Sequence, residues 1–161
     1  MFEPDELLLA LTRARVAFIV IGGVAVGVHG FVRATRDLDV VPDPDPENLE
    51  RLARVLRQLD ARHVGEGDFE SDEFPVDPTD PTQLAGGANF RLETSRGELD
   101  VMQWVSGIDA DPAYAGLAPA AMIVSFRGTQ IRVCSLEHLR AMKRAAGRPQ
   151  DLEDLRRLDA G

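Results

Sequence analysis

Gly22-Gly23, followed by Arg33-Ala34-Thr35-Arg36-Asp37-Leu38-Asp39-Val40, is the part of this sequence from which the rest can be read. On a β-strand, residues two apart share a face, so Asp37 and Asp39 project together while Leu38 and Val40 turn into a core. Two carboxylates about 7 Å apart along such a strand repel one another and raise each other's pKa unless a cation lies between them. Hard divalent cations, Mg2+ above all or Mn2+, take oxygen ligands of this kind and complete their shell with substrate phosphates. An isolated Asp-x-Asp also occurs at strand ends where the acids simply face solvent. The pair therefore gains its meaning from its surroundings.

Upstream, residues 17–21 form a β-branched and aromatic run that ends at Gly22-Gly23, as a buried strand would. Residues 23–30 then read as a small-residue helix packed tightly on a sheet. Gly-Gly between a strand and a helix lets backbone approach a ligand closely, and helix N-terminal N–H groups favour phosphate; a tight turn without any ligand is the alternative. A third acid, Asp100, sits in Glu98-Leu99-Asp100-Val101 with apolar neighbours on both sides. If its strand lies beside that of Asp37 and Asp39, three carboxylates converge, enough to hold metal and to accept a proton from an attacking hydroxyl. Otherwise Asp100 is an acid on the wet face of a hairpin. Arg33 and Arg36 flank this region and could neutralise phosphate or be ordinary surface charges.

The expected fold follows from the same kind of reading. A first helix covers 4–15, and strand 37–41 is stopped by prolines. Asp45 and Pro46 then open a helix to about 61. Residues 63–88 are acidic, Gly- and Pro-rich and without sustained period, and read as a long loop. Two hairpins follow, pairing 89–94 with 98–104 and 122–127 with 129–134, and two helices, about 136–146 and 150–159, end the chain. The order predicts an α/β (α+β) fold: one domain over 1–161 with a mixed β-sheet flanked by helices and a C-terminal helical pair at 135–161. Phe90 and Trp104 are expected in the core, Cys134 as a small buried hydrophobe, and His29 as a packed or solvent-facing helix residue.

The 161 residues carry 27 acids against 18 Lys and Arg, a net charge of −9. Residues 37–80 alone hold 14 of the acids against 4 arginines, so the imbalance is local. Such a chain is a poor non-specific binder of nucleic acid, although a local basic face could still hold RNA. One cysteine allows no intramolecular disulfide, the first residues are acidic where a secretory signal is basic, and the apolar run 16–28 is too short to span a bilayer. The expectation is a cytoplasmic protein with no membrane association. Lys143 is the single lysine among 17 arginines. Asp151 and Asp154, three apart near the start of the last helix, could share a face. They could pair with Lys143 or Arg148 to pin two helices together. Alternatively, the compact ammonium of Lys143 could serve a phosphate oxygen as a point charge.

Gly22-Gly23, Asp37-x-Asp39 on a strand and a later Asp100 together resemble the nucleotidyltransferase (polymerase-β-like) superfamily. More narrowly, Gly22-Gly23-Val24-Ala25, Arg33-x-Thr35-x-Asp37-Leu38-Asp39 and the tail from Met142-Lys143 through Gly147-Arg148 to Asp151 and Asp154 are similar to small bacterial nucleotidyltransferase-like proteins related to AbiEii toxins. The resemblance implies an enzyme with a nucleotidyltransferase-like fold that transfers a nucleoside monophosphate from an NTP to an acceptor hydroxyl, releasing pyrophosphate. Asp37, Asp39 and Asp100 would hold Mg2+ or Mn2+, and Lys143 would contact the triphosphate. Gly22, Gly23, Arg33, Thr35, Arg148, Asp151 and Asp154 would complete the nucleotide site. Toxin-like relatives imply an RNA acceptor, a tRNA end, and a neutralising antitoxin as partner. The acid excess favours a small molecule such as an antibiotic, or a protein hydroxyl. A third reading is a non-catalytic nucleotide-binding protein of the same fold. Many relatives carry Gly-Ser where this chain has Gly22-Gly23, so backbone amides must serve without that hydroxyl.

Overall fold

The computed structural model describes residues 4–65 and 76–161. Seven strands form one mixed sheet in the order β3-β4-β5-β2-β1-β7-β6. They are β1 (Phe18–Ile21), β2 (Asp37–Pro42), β3 (Arg62–His63), β4 (Phe90–Thr94), β5 (Gly97–Val101), β6 (Met122–Phe126) and β7 (Thr129–Val133). The helices are α1 (Pro4–Arg13), α2 (Gly22–Val28), α3 (Pro46–Gln58), α4 (Pro81–Leu84), α5 (Ala113–Leu117), α6 (Leu136–Ala146) and α7 (Pro149–Ala160).

The centre of the sheet is built from strands whose composition suits burial. All four residues of β1 are buried, as a β-branched and aromatic run between two neighbours should be. In β2 the pattern alternates: Leu38 and Val40 are buried, while Asp37 and Asp39 stand half-buried on the other face. β2 runs antiparallel to β1 and parallel to β5. Packing comes from α1 against β2, β5 and α3, from α2 against β1, β2 and α6, and from α6 against α7. The start of α3 is fixed twice. Asp45 caps it by accepting from the Glu47 and Asn48 amides at 3.0 and 3.3 Å, and the buried Asn48 carboxamide clasps both backbone groups of Ala17 at 2.7 and 2.9 Å.

Several expected boundaries shift. α1 stops at Arg13, and the chain turns at Arg15 through a left-handed conformation with φ of 61°. α3 ends at Gln58. The expected loop 63–88 contains part of β3 and all of α4, the latter capped by Asp80 accepting from Thr82 at 2.8 Å; residues 66–75 of that loop lie outside the described residues. α5 was not foreseen.

One expectation fails for a specific reason. β5 ends at Val101, and Trp104 is 53% exposed, outside the core, whereas Phe90 is buried at 2%. Beyond Val101, side chains replace the strand ladder. The Gln103 carboxamide donates to Leu84 and Ala88 carbonyls at 2.8 and 2.9 Å, and Asn89 accepts from the amides of Gln103 and Trp104. The chain is thereby led off the sheet with the indole outward. Cys134 is buried, and burial pushes its thiol up to about 12. The His29 Nε2 lies 2.8 Å from the Cys134 carbonyl, tying α2 to the end of β7. No helix among the described residues is long and apolar enough to cross a membrane.

Candidate active site

β2 and β5 are paired so that Asp39 lies opposite Asp100, and Asp37 opposite Glu98. Asp37, Asp39 and Asp100 each place one carboxylate oxygen within 4.8 Å of the others. Like charges this close, withdrawn from water, resist ionisation. Asp39 is pushed up to about 8, first by burial and then by Asp37 and Asp100, with Lys143 offsetting only part of the effect. Asp100 rises to about 6, again through burial first and Asp37 next, with Arg91 acting in the opposite direction. The neighbouring cations do not offset the crowded negative charge. Hard oxygen donors with that deficit fit a divalent cation such as Mg2+ or Mn2+.

Gly22 stands directly against this cluster. Its φ is +69°, and a Cβ there would lie 2.0 Å from Asp39 Oδ2. Glycine is thus required both by the backbone conformation and by the carboxylate above it. At Gly23 a Cβ would meet the Thr35 hydroxyl at 2.9 Å and Arg33 Nη2 at 3.1 Å. The hydroxyl next to the Gly-Gly turn therefore belongs to Thr35, which donates to the Asp37 carbonyl at 3.2 Å and to Asp37 Oδ1 at 3.3 Å.

The C-terminal residues are brought to the same region but are engaged with one another. Asp154, fully buried, accepts from Arg33 Nε and Nη2 at 2.8 and 2.9 Å, from Lys143 Nζ at 2.8 Å and from Gln150 at 3.0 Å. Asp151, 1% exposed, accepts from Lys143 Nζ at 3.1 Å and from the Arg148 amide and Nε at 3.1 and 2.7 Å. Burial pushes both carboxyls up, but the hydrogen bonds from Arg148 and Lys143 to Asp151, and from Arg33, Lys143 and Gln150 to Asp154, outweigh it and hold both below the usual carboxylate range. Of the two readings of Lys143, its contacts are those of the helix-pinning one, and Arg33 is bound into the same cluster. Asp154 lines neither of the two clefts beside the carboxylates, whereas Lys143, Arg148 and Asp151 line both.

A polar cleft of about 420 Å³ opens over the cluster, lined among others by Gly22, Gly23, Thr35, Arg36, Asp37 and Asp100. Arg36 is exposed there and makes no ion pair with any described residue, unlike Arg33. A second cleft, mostly apolar, adjoins it along residues 102–106 and α6. Sequence reading left the second cleft unseen, since the signal that places Trp104 at its edge is the distant Asn89.

The seven-stranded mixed sheet with its flanking helices is the nucleotidyltransferase-like fold. Over 98% of this chain and 94% of the other, it is similar to the crystal structure of a candidate nucleotidyltransferase from Thermotoga maritima, with a TM-score of 0.57 and 18% identity. It is also similar to the antibiotic-resistance factor ANT(2'')-Ia, over 94% of this chain and 77% of that one in its solution structure, with a TM-score of 0.56 and 18% identity. The crystal structure of ANT(2'')-Ia in complex with adenylyl-2''-tobramycin gives a TM-score of 0.54 and 17% identity, over 94% of this chain and 82% of that one. No family model matches the chain, and no curated protein matches it significantly by sequence.

Proposed function

We propose that this protein is a nucleotidyltransferase that passes a nucleoside monophosphate from an NTP to an acceptor hydroxyl and releases pyrophosphate. The observation that carries this reading is the convergence of Asp37, Asp39 and Asp100 beside Gly22 in an open polar cleft. The shared fold with nucleotidyltransferases supports it.

In this reading Asp37, Asp39 and Asp100 hold Mg2+ or Mn2+, which when bound supplies charge neutralisation at the phosphate oxygens. The acceptor oxygen attacks the α-phosphorus, the bond to the leaving pyrophosphate breaks, and the hydroxyl proton passes to Asp100. Asp100 lines the polar cleft, where an acceptor hydroxyl can come within reach of its carboxylate. Gly22 and Gly23 let the phosphates approach the backbone closely. Arg36 and the outer edge of Arg148 are the cations placed to meet them from the open side of the cleft. Thr35 orients Asp37 through its hydroxyl. Lys143, Asp151, Asp154 and Arg33 position this nucleotide site rather than touch the reacting atoms.

Two acceptors remain in view. Resemblance to AbiEii-type toxins favours an RNA or tRNA end with an antitoxin partner. The net charge of −9, and the adenylylated tobramycin held by a protein of the same fold, favour a cationic small molecule such as an aminoglycoside. Both are tested in one assay. The protein is incubated with each α-labelled NTP, Mg2+ or Mn2+, and either total RNA or an aminoglycoside panel, and label transfer and pyrophosphate are followed. The expected result is labelled product from one acceptor class and at least about a hundredfold loss in Asp100→Asn. Product formation unchanged in both Asp39→Asn and Asp100→Asn overturns the reading.

A further inference from the structure

We infer that the apolar cleft beside the carboxylates is a nucleobase subsite, with Trp104 as its stacking platform; this rests on the nucleotidyl-transfer reading above. The cleft has a volume of about 270 Å³, and its lining includes Met102, Trp104 and Val105 together with Leu139 and Met142 of α6. It shares Gly22, Asp39, Lys143, Arg148 and Asp151 with the polar cleft, so the two are continuous. One end is lined for anions and metal, the other for a flat apolar body. A nucleoside triphosphate has both ends in one molecule.

The acceptor is drawn to the other end. Its hydroxyl must reach Asp100, and Asp100 lines the polar cleft but not the apolar one. A polycationic or sugar-like acceptor would also leave its polar groups unpaired against Met102, Leu139 and Met142.

Trp104 is exposed without being loosely held. The Asn89 carboxamide accepts from the Gln103 and Trp104 amides at 2.8 and 3.0 Å and donates to the Trp104 carbonyl at 2.9 Å. Three residues on, Gly107 sits so close to α6 that a Cβ would lie 2.6 Å from the Ala141 carbonyl oxygen. The segment that carries Trp104 thus packs closely against α6. A large ring displayed on a fixed backbone is a preorganised surface that loses little entropy on binding. Every base has a π-face, so stacking of this kind holds any of the four bases with little discrimination.

The chain has one tryptophan, so its fluorescence reports this cleft alone. The test titrates each of the four ribonucleoside triphosphates with Mg2+, and Mg2+-tripolyphosphate as a probe without a base. Affinities are measured by calorimetry in wild type, Trp104→Ala and Trp104→Phe. The expected result is that every NTP quenches the indole whereas tripolyphosphate binds without quenching. Trp104→Ala weakens NTP binding about tenfold and leaves tripolyphosphate unchanged, and Trp104→Phe restores most of the loss. NTP binding with unaltered indole emission and equal affinity in Trp104→Ala overturns the subsite while leaving nucleotidyl transfer standing. Failure of both NTP and tripolyphosphate to bind overturns the nucleotidyl-transfer reading and the subsite with it.

Discussion

Lys143 Nζ lies 2.8 Å from Asp154 Oδ2, in a cluster where both side chains are almost wholly withdrawn from solvent. The same carboxylate holds Arg33 by two hydrogen bonds, so it joins α6, α7 and the segment leading into β2. Removing one partner of a buried ion pair leaves the other charge uncompensated, which typically costs about 3–5 kcal/mol. Asp154→Ala is expected to lose stability at the low end of that range, measured by urea denaturation, because Arg33 loses its carboxylate partner while Lys143 keeps Asp151. Lys143→Met should lose less, because Asp151 keeps Arg148 and Asp154 keeps Arg33.

Gly22→Ala should damage the site more than the fold. The left-handed conformation costs a non-glycine residue roughly 1–2 kcal/mol, and the added methyl would have to displace the Asp39 carboxylate. The expected outcome is a modest fall in urea midpoint with near-complete loss of nucleotidyl transfer.

Arg36 and Arg33 are close in sequence but should behave differently. Arg36→Ala removes from the polar cleft a cation that pairs with no described residue, and a charge-assisted contact to phosphate is worth about 1.5–3 kcal/mol. Steady-state kinetics should show the KM for NTP rising at least about tenfold with unchanged stability. Arg33→Ala should instead lower the urea midpoint, since it breaks the bidentate pair with Asp154.

The carboxylate cluster gives metal-free stability an inverted pH dependence. Asp39 binds its proton in the folded chain up to about pH 8, whereas the unfolded chain releases it near the ordinary value of 3.8. Between those limits the folded state holds more protons, so this contribution is full below about pH 4 and is lost as pH rises toward 8. Asp100 adds the same sign up to about pH 6. Asp151 and Asp154, held low, act oppositely and only in acid. Thermal unfolding in chelator should therefore show Tm falling from pH 5 to pH 8. Mg2+ should recover it at pH 8, and Asp39→Asn should flatten the dependence.

The half of the site carried by β2 was legible because its signal is local. Leu38 and Val40 alternate with Asp37 and Asp39 at the strand period, and nothing distant is needed to place them. Asp100 could be read only conditionally, since its value depends on β5 lying parallel to β2, a pairing between distant segments. Lys143 had two readings because the choice rests on how α6 meets α7. Trp104 is expected in the core from the sequence; Asn89 and Gln103, through hydrogen bonds to backbone, turn it outward, and no local pattern announces such bonds. α5 carries no side-chain cap and so left no sign of its start.

The joint holding of metal and nucleotide by Asp37, Asp39 and Asp100 is tested most directly by the water-proton relaxation of Mn2+-NTP on adding the protein. A several-fold enhancement is predicted for wild type and none for Asp39→Asn at matched concentration, with both proteins folded. No enhancement in wild type, or an equal one in Asp39→Asn, would contradict it.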